Sequence, residues 1–221
     1  MHFNLTDLVA DITQNSAESG AALVELEIQE TAEMPAETPA EFRFIVKDNG
    51  KGMSKDILDR AMDPFVSDGV KHPGRKVGLG IPFLIQTAIE SGGGWKISST
   101  TAPHPEGETT RRSGGKAASS AEGFSEEPAK GTTVEAWFDL ANMDTPPMGD
   151  IPGLFRTVLL FAGPEEIVLK RSRKAAAGRE NLDYQVKKTE LKEALGGDLE
   201  DLSSLVLLGK YLRSLEGDET E

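Results

Sequence analysis

The chain has 221 residues, 38% of them hydrophobic and 28% charged, which is the balance of a folded soluble protein with one main core. A formal charge of -13 argues against nucleic acid as a partner, because duplex affinity rests on phosphate neutralisation by Lys and Arg. The absence of cysteine excludes disulfides, thiolate metal sites and cysteine nucleophiles. No apolar run approaches the roughly 18 residues of a membrane span, and the N-terminus lacks a charged-then-apolar leader pattern, so a cytoplasmic location is expected.

Leu5, Leu8, Val9 and Ile12 recur at helical spacing and predict a first helix over about Leu5–Ser19, capped by Thr6 or Asp7 and stopped by Gly20. Leu23–Ile28 and Glu41–Lys47 alternate apolar with polar residues, and the intervening loop contains two prolines. They read as neighbouring antiparallel strands. After the Asp48–Gly52 turn, Ser54 caps a short helix over Lys55–Met62. A polar, basic loop follows at Ser67–Lys76, then a helix from Ile81 with Pro82 in its first turn, ending near Gly92.

Strands Trp95–Ser99 and Thr132–Leu140 flank residues 100–130, which are rich in Gly, Ser, Glu and Pro and predict a flexible insertion. A Pro-rich linker at residues 142–152 separates this first unit, residues 1–141, from a small helical or α/β appendage at residues 153–221. Within the appendage, Leu154–Ala162 is apolar, Glu166–Lys170 and Leu182–Lys187 read as strands, and Thr189–Leu195 and Leu199–Leu215 read as helices. The last helix carries an apolar stripe that suits either a docking surface or packing on its own domain.

Three clusters carry chemistry. Asp11 and Asn15 stand four apart and stack on one helical face. An amide oxygen is a hard ligand suited to magnesium, and a carboxylate one turn away can orient or deprotonate a nucleophile; the same pair also suits a solvated face. Asp48-Asn49-Gly50-Lys51-Gly52-Met53 ends an apolar strand, where an aspartate can accept from an adenine amino group, or the segment can be a plain turn. Gly78-Leu79-Gly80 precedes a helix, a place that favours phosphate. Lys71, His72, Arg75 and Lys76 lie just upstream and either serve the triphosphate or keep the loop soluble.

In this order the clusters resemble the GHKL superfamily of ATPases, shared by DNA gyrase, Hsp90, sensor histidine kinases and MutL. Asp11–Ala21 (DITQNSAESGA) resembles the N box, with Asn15 at the magnesium-binding place. Asp48–Met53 resembles the first glycine box, Asp63-Pro64-Phe65 the phenylalanine box, and Val77–Phe83 the second glycine box, with the ATP lid at residues 67–76. Gly131-Thr132-Thr133-Val134 resembles the closing Gly-Thr motif. The resemblance spans about Leu5–Leu140.

It implies a Bergerat fold, an α/β two-layer sandwich of a mixed, mainly antiparallel sheet with helices on one face. It also implies ATP and Mg2+ as ligands, contacted by Asn15, Asp48, Gly50, Gly52, Met53, Lys76, Gly78, Leu79, Gly80, Thr132 and Thr133, with Asn15 on the metal. Asp11 stands where hydrolysing relatives have glutamate. It is one methylene shorter, a loss of reach near 1.5 Å that can cost on the order of a hundredfold in rate.

His2, His72 and His104 do not sit on a phosphoacceptor helix, so phosphorylation of the chain by itself is not expected. Three uses of ATP remain compatible with these residues. One is a slowly hydrolysing switch acting on a protein partner, another a kinase acting in trans, and the third a non-catalytic ATP sensor.

Overall fold

A computed structural model describes residues 4–32, 40–63, 80–101, 108–112, 130–175 and 181–217. Helix α1 (Leu5–Ala17) opens the fold. Its cap is Asn4, two residues before Thr6, the nearer of the expected candidates. The Asn4 carboxamide oxygen accepts from the Asp7 amide at 2.8 Å and from the Thr6 hydroxyl at 2.7 Å, so Thr6 and Asp7 are inside the helix. Gly20, with φ of 80°, turns the chain just beyond the helix end. Asn4→Ala is expected to destabilise the protein by about 1 kcal/mol, measurable by urea unfolding.

Strands β1 (Leu23–Thr31) and β2 (Glu41–Asp48) pair antiparallel, as their alternation predicts. Helix α2 (Lys55–Met62) is capped by Ser54 as expected, and α3 (Gly80–Glu90) is followed by β3 (Gly94–Thr100). The expected insertion contains a strand, β4 (Glu108–Arg112), paired antiparallel with β3. Its sequence, ETTRR, has no apolar alternation. An edge strand needs only backbone partners on one side, so this one left no hydropathy signal. Strand β5 (Gly131–Asp139) then lies between β3 and β2.

The remainder continues the same sheet rather than standing apart from it. Helix α4 (Ile151–Leu159) leads to β6 (Glu166–Lys174), which pairs parallel with β1, and β7 (Leu182–Lys187) pairs antiparallel with β6. Helices α5 (Lys188–Ala194) and α6 (Leu202–Glu216) follow. The sheet has seven strands in the order β4-β3-β5-β2-β1-β6-β7. The Pro-rich segment is also tied down, since the Pro147 and Met148 carbonyls accept from the Leu5 and Thr6 amides at the start of α1.

Strand register puts Val24, Leu26 and Ile28, Phe42, Phe44 and Val46, and Val134, Ala136 and Phe138 on one face. Val9 and Ile12 of α1, Leu84 and Ala88 of α3, and Leu154, Phe155 and Val158 of α4 complete a single core with them. Phe138 links two strands, with ring centroids 6.1 Å from Phe42 and 6.3 Å from Phe44. The opposite face carries charge: Arg43 lies 5.1 Å above the Trp137 ring and pairs with Glu41 and Glu135. The mixed two-layer arrangement is that of the Bergerat fold.

A cluster of charged groups lies on the core face around β6. Arg171 of β6 is only 1% exposed, and its guanidinium donates to Glu216 at 3.1 Å, to Glu30 and to the Ser172 carbonyl at 2.9 Å. Arg173 and the Tyr184 hydroxyl also reach Glu216, at 3.4 and 2.8 Å. Burial, reinforced by the Glu216 charge, raises the Tyr184 phenol far above its ordinary value, so it stays a donor. This cluster fastens the C-terminal end of α6 to the sheet.

Candidate functional site

The site forms where the ends of α1, β2, β3 and β5 meet, at one end of the central strands. Asp48 closes β2 and is 3% exposed. In register beside it stand Thr132 at the start of β5 and then Ser99 near the end of β3. The Asp48 Oδ1 accepts from the Gly50 amide at 2.9 Å and from the Ser19 hydroxyl at 3.3 Å. Burial raises the Asp48 carboxyl above its ordinary value of 3.8, opposed by hydrogen bonds from Gly50, Ser16, Ser19 and Thr132.

Glycine is required around this carboxylate. Gly52 has φ of 67°, and a Cβ there would lie 2.0 Å from the Thr100 carbonyl oxygen. A Cβ on Gly131, with φ of 137°, would lie 1.9 Å from the Asp48 carbonyl oxygen. Asn49 ties the turn to β1, its side-chain oxygen accepting from the Ala22 and Leu23 amides at 2.9 and 3.0 Å. Half-buried Met53 donates its amide to the Ser99 hydroxyl at 2.7 Å, and that hydroxyl also bonds Thr132 Oγ1 at 2.9 Å.

Asn15 and Asp11 lie exposed one turn apart on α1. Asn15 meets the start of α3: a Cβ on Gly80 would lie 3.4 Å from its amide nitrogen. Thus Asn15 and Gly80 come together, while the adjoining Ser16, and Ser19 just past the helix end, reach toward Asp48. Thr132 joins this group. Thr133 alternates to the other face of the sheet, opposite Lys47 and Ser98, and stands outside it. Lys76, Gly78 and Leu79, the basic loop, Phe65, His2, His72 and His104 lie outside the described residues.

The sequence reading missed Ser16, Ser19 and Ser99. Ser99 left a signal, because it follows Trp95 and Ile97 at period two and is a polar residue at a buried position. Ser16 likewise falls on the buried side of α1.

The residues suit a purine nucleotide with a bound cation. A buried carboxylate with fixed neighbours can receive a base amino group, and the glycines let the surrounding backbone close tightly around that carboxylate. Asn15 offers one hard oxygen, which fits a magnesium ion held mainly by phosphate and water. Among the described residues no cluster of three or more His, Asp and Glu forms a metal cage. A separate cavity of about 290 Å³ is lined by Phe161, Gly163, Lys188, Lys192, Asp198 and Glu200, among others, and includes none of these site residues. Burial and the neighbouring Lys192 lower the Lys188 ammonium there.

Among the described residues no helix is long and apolar enough to cross a membrane. The sequence matches the family described as histidine kinase-, DNA gyrase B-, and HSP90-like ATPase over residues 3–142. No curated protein matches the chain. Among solved structures it is similar to the N-terminal domain of a DNA repair protein, with 15% identity, a TM-score of 0.43, and coverage of 82% of this chain and 52% of that one. It is also similar to the Aquifex aeolicus MutL ATPase domain complexed with ADP, with 20% identity, a TM-score of 0.40, and coverage of 83% and 64%. The chain thus spans 52% to 64% of the length of these structures. By the match across residues 3–142, the chain belongs to the histidine kinase-, DNA gyrase B- and HSP90-like ATPase family.

Proposed function

We propose that the chain binds Mg-ATP and acts as a nucleotide-dependent switch on a protein partner, with slow hydrolysis, in the cytoplasm. The observation that supports this reading is that α1 and its end bring two groups of candidate site residues together. Asn15 of α1 lies against Gly80 at the start of α3, and the adjoining Ser16, with Ser19 just past the helix end, reaches Asp48. Asp48 would receive the adenine amino group, with Gly50, Gly52, Met53 and Thr132 shaping the base site. Asn15 would hold the magnesium, and Gly78, Leu79 and Gly80 the phosphates, with Lys76 adding charge. Asp11 would orient or deprotonate the attacking water.

Asp11→Asn is then expected to lower ATP turnover about 100-fold while changing ATP affinity less than about 3-fold. Phosphate release and calorimetric titration of the same preparation would read the two quantities. Unchanged turnover would remove Asp11 from the reaction. Incubation with γ-labelled ATP and a host extract distinguishes the uses of the nucleotide. Free phosphate without labelled protein supports the switch, labelled protein identifies a kinase acting in trans, and neither points to a sensor.

A further inference from the structure

Ser19 lies within the Asp11–Ala21 segment but was given no role there, and it ties the end of α1 to the Asp48 turn. It follows α1 directly, its amide donating to the Ser16 carbonyl at 3.2 Å. Its own carbonyl accepts from the Lys51 amide at 3.3 Å, tying the helix end to the glycine turn. Its hydroxyl donates to Asp48 Oδ1, the oxygen already held by Gly50. A Cβ on Gly50 would lie 1.8 Å from the Ser19 hydroxyl oxygen, so the glycine is what lets the hydroxyl reach the carboxylate.

With two donors on Oδ1, rotation of the carboxylate about its own bond would break both. We infer that Ser19 is a positioning residue for base selection: it fixes the Asp48 carboxylate so that the site favours a purine bearing an exocyclic amino donor over one bearing a carbonyl acceptor. The inference rests on the reading of Asp48 as the residue that receives the base.

A carboxylate offers acceptors only, so a purine with a carbonyl at that position would set oxygen against oxygen. Discrimination depends on the carboxylate being unable to turn aside and admit a water or a rotated hydroxyl. Ser19 supplies that restraint from just beyond the helix that carries Asn15. The 3.3 Å separation is long for a hydroxyl bond, so the effect is severalfold rather than hundredfold.

The test compares ATP with inosine triphosphate, which has a carbonyl in place of the amino group, by calorimetric titration of the full chain. Ser19→Ala is expected to weaken ATP about 5-fold and inosine triphosphate less than about 2-fold, shrinking the preference. Ser19→Thr keeps the hydroxyl and is expected to keep the preference. Equal loss for both nucleotides at unchanged thermal stability, or no loss for either, overturns the inference. Asp48→Ala run alongside separates the two claims. If it abolishes the preference while Ser19→Ala does not alter it, only the role of Ser19 fails. If Asp48→Ala leaves the preference intact, the reading of Asp48 fails and takes Ser19 with it.

Discussion

Asp48→Ala is expected to weaken ATP binding by about 100-fold, because it removes a hydrogen bond to an ionised acceptor and leaves the Gly50 amide and the serine hydroxyls facing a void. Asp48→Asn should cost nearly as much, since its amide presents donors where the base also presents one. Titration calorimetry reads both variants, and unchanged affinity in either would remove Asp48 from the base site. The pH dependence carries a sign that can be checked. Burial raises the Asp48 carboxyl above 3.8, so its proton is taken up at a higher pH than an ordinary carboxylate's.

ATP affinity should therefore fall on acidification, beginning above the usual carboxylate range and absent in Asp48→Asn. The same shift has the opposite consequence for folding. The native state holds this proton more tightly than the unfolded chain, so stability contributed by the group is present at low pH and is lost as pH rises through the folded value. Acid thus favours the fold at this residue while weakening the ligand, and the two measurements on one sample should diverge.

Arg171→Met is expected to destabilise the protein by about 3–5 kcal/mol, read as a lowered midpoint in urea. The arginine is 1% exposed and holds Glu216 and Glu30 on the core face. Without it, two largely buried carboxylates lose their main counter-charge. Glu216 is also the last residue of α6, where the helix dipole disfavours a negative charge, so Arg171, Arg173 and Tyr184 offset a placement that is otherwise unfavourable. Hydrogen exchange should show α6 loosening before the central strands. The triple change Arg171→Met, Glu216→Gln and Glu30→Gln should recover much of the loss, because the penalty comes from stranded charge rather than from lost attraction. Recovery of none of it would mean that the side-chain shapes, not the charges, hold α6.

The elements from α1 to α3 and the order of their motifs were legible in the sequence because each signal is local. Leu5, Leu8, Val9 and Ile12 mark the buried stripe of α1, and all four are at most 2% exposed. The alternation in Leu23–Ile28 and Glu41–Lys47 marks strands with one face on the core, and Ser54 marks a helix start by its own bonding habit. Asp48 stood out because a carboxylate followed by two glycines ends an apolar strand.

Other features depend on residues far apart in the chain. Strand β4 has polar residues throughout and is specified by the free edge of β3. Strand β6 carries Lys170, Arg171 and Arg173, and only its parallel pairing with β1, from Leu23 opposite Glu166 to Thr31 opposite Lys174, turns Arg171 into the core. The spacing of Thr132 and Thr133 could not say which one faces Asp48; the register of β5 on β2 decides for Thr132.

The sequence by itself determined which residue types the site contains and the order in which they arrive, since hydrophobic period and turn chemistry act within a few residues. Tertiary structure alone decided which side chains meet. That the Ser19 hydroxyl reaches Asp48, that Asn15 rests on Gly80 and that α6 is locked to the sheet through Arg171 all follow from strand pairing and helix packing across long separations. Contacts of that kind have no periodicity to betray them.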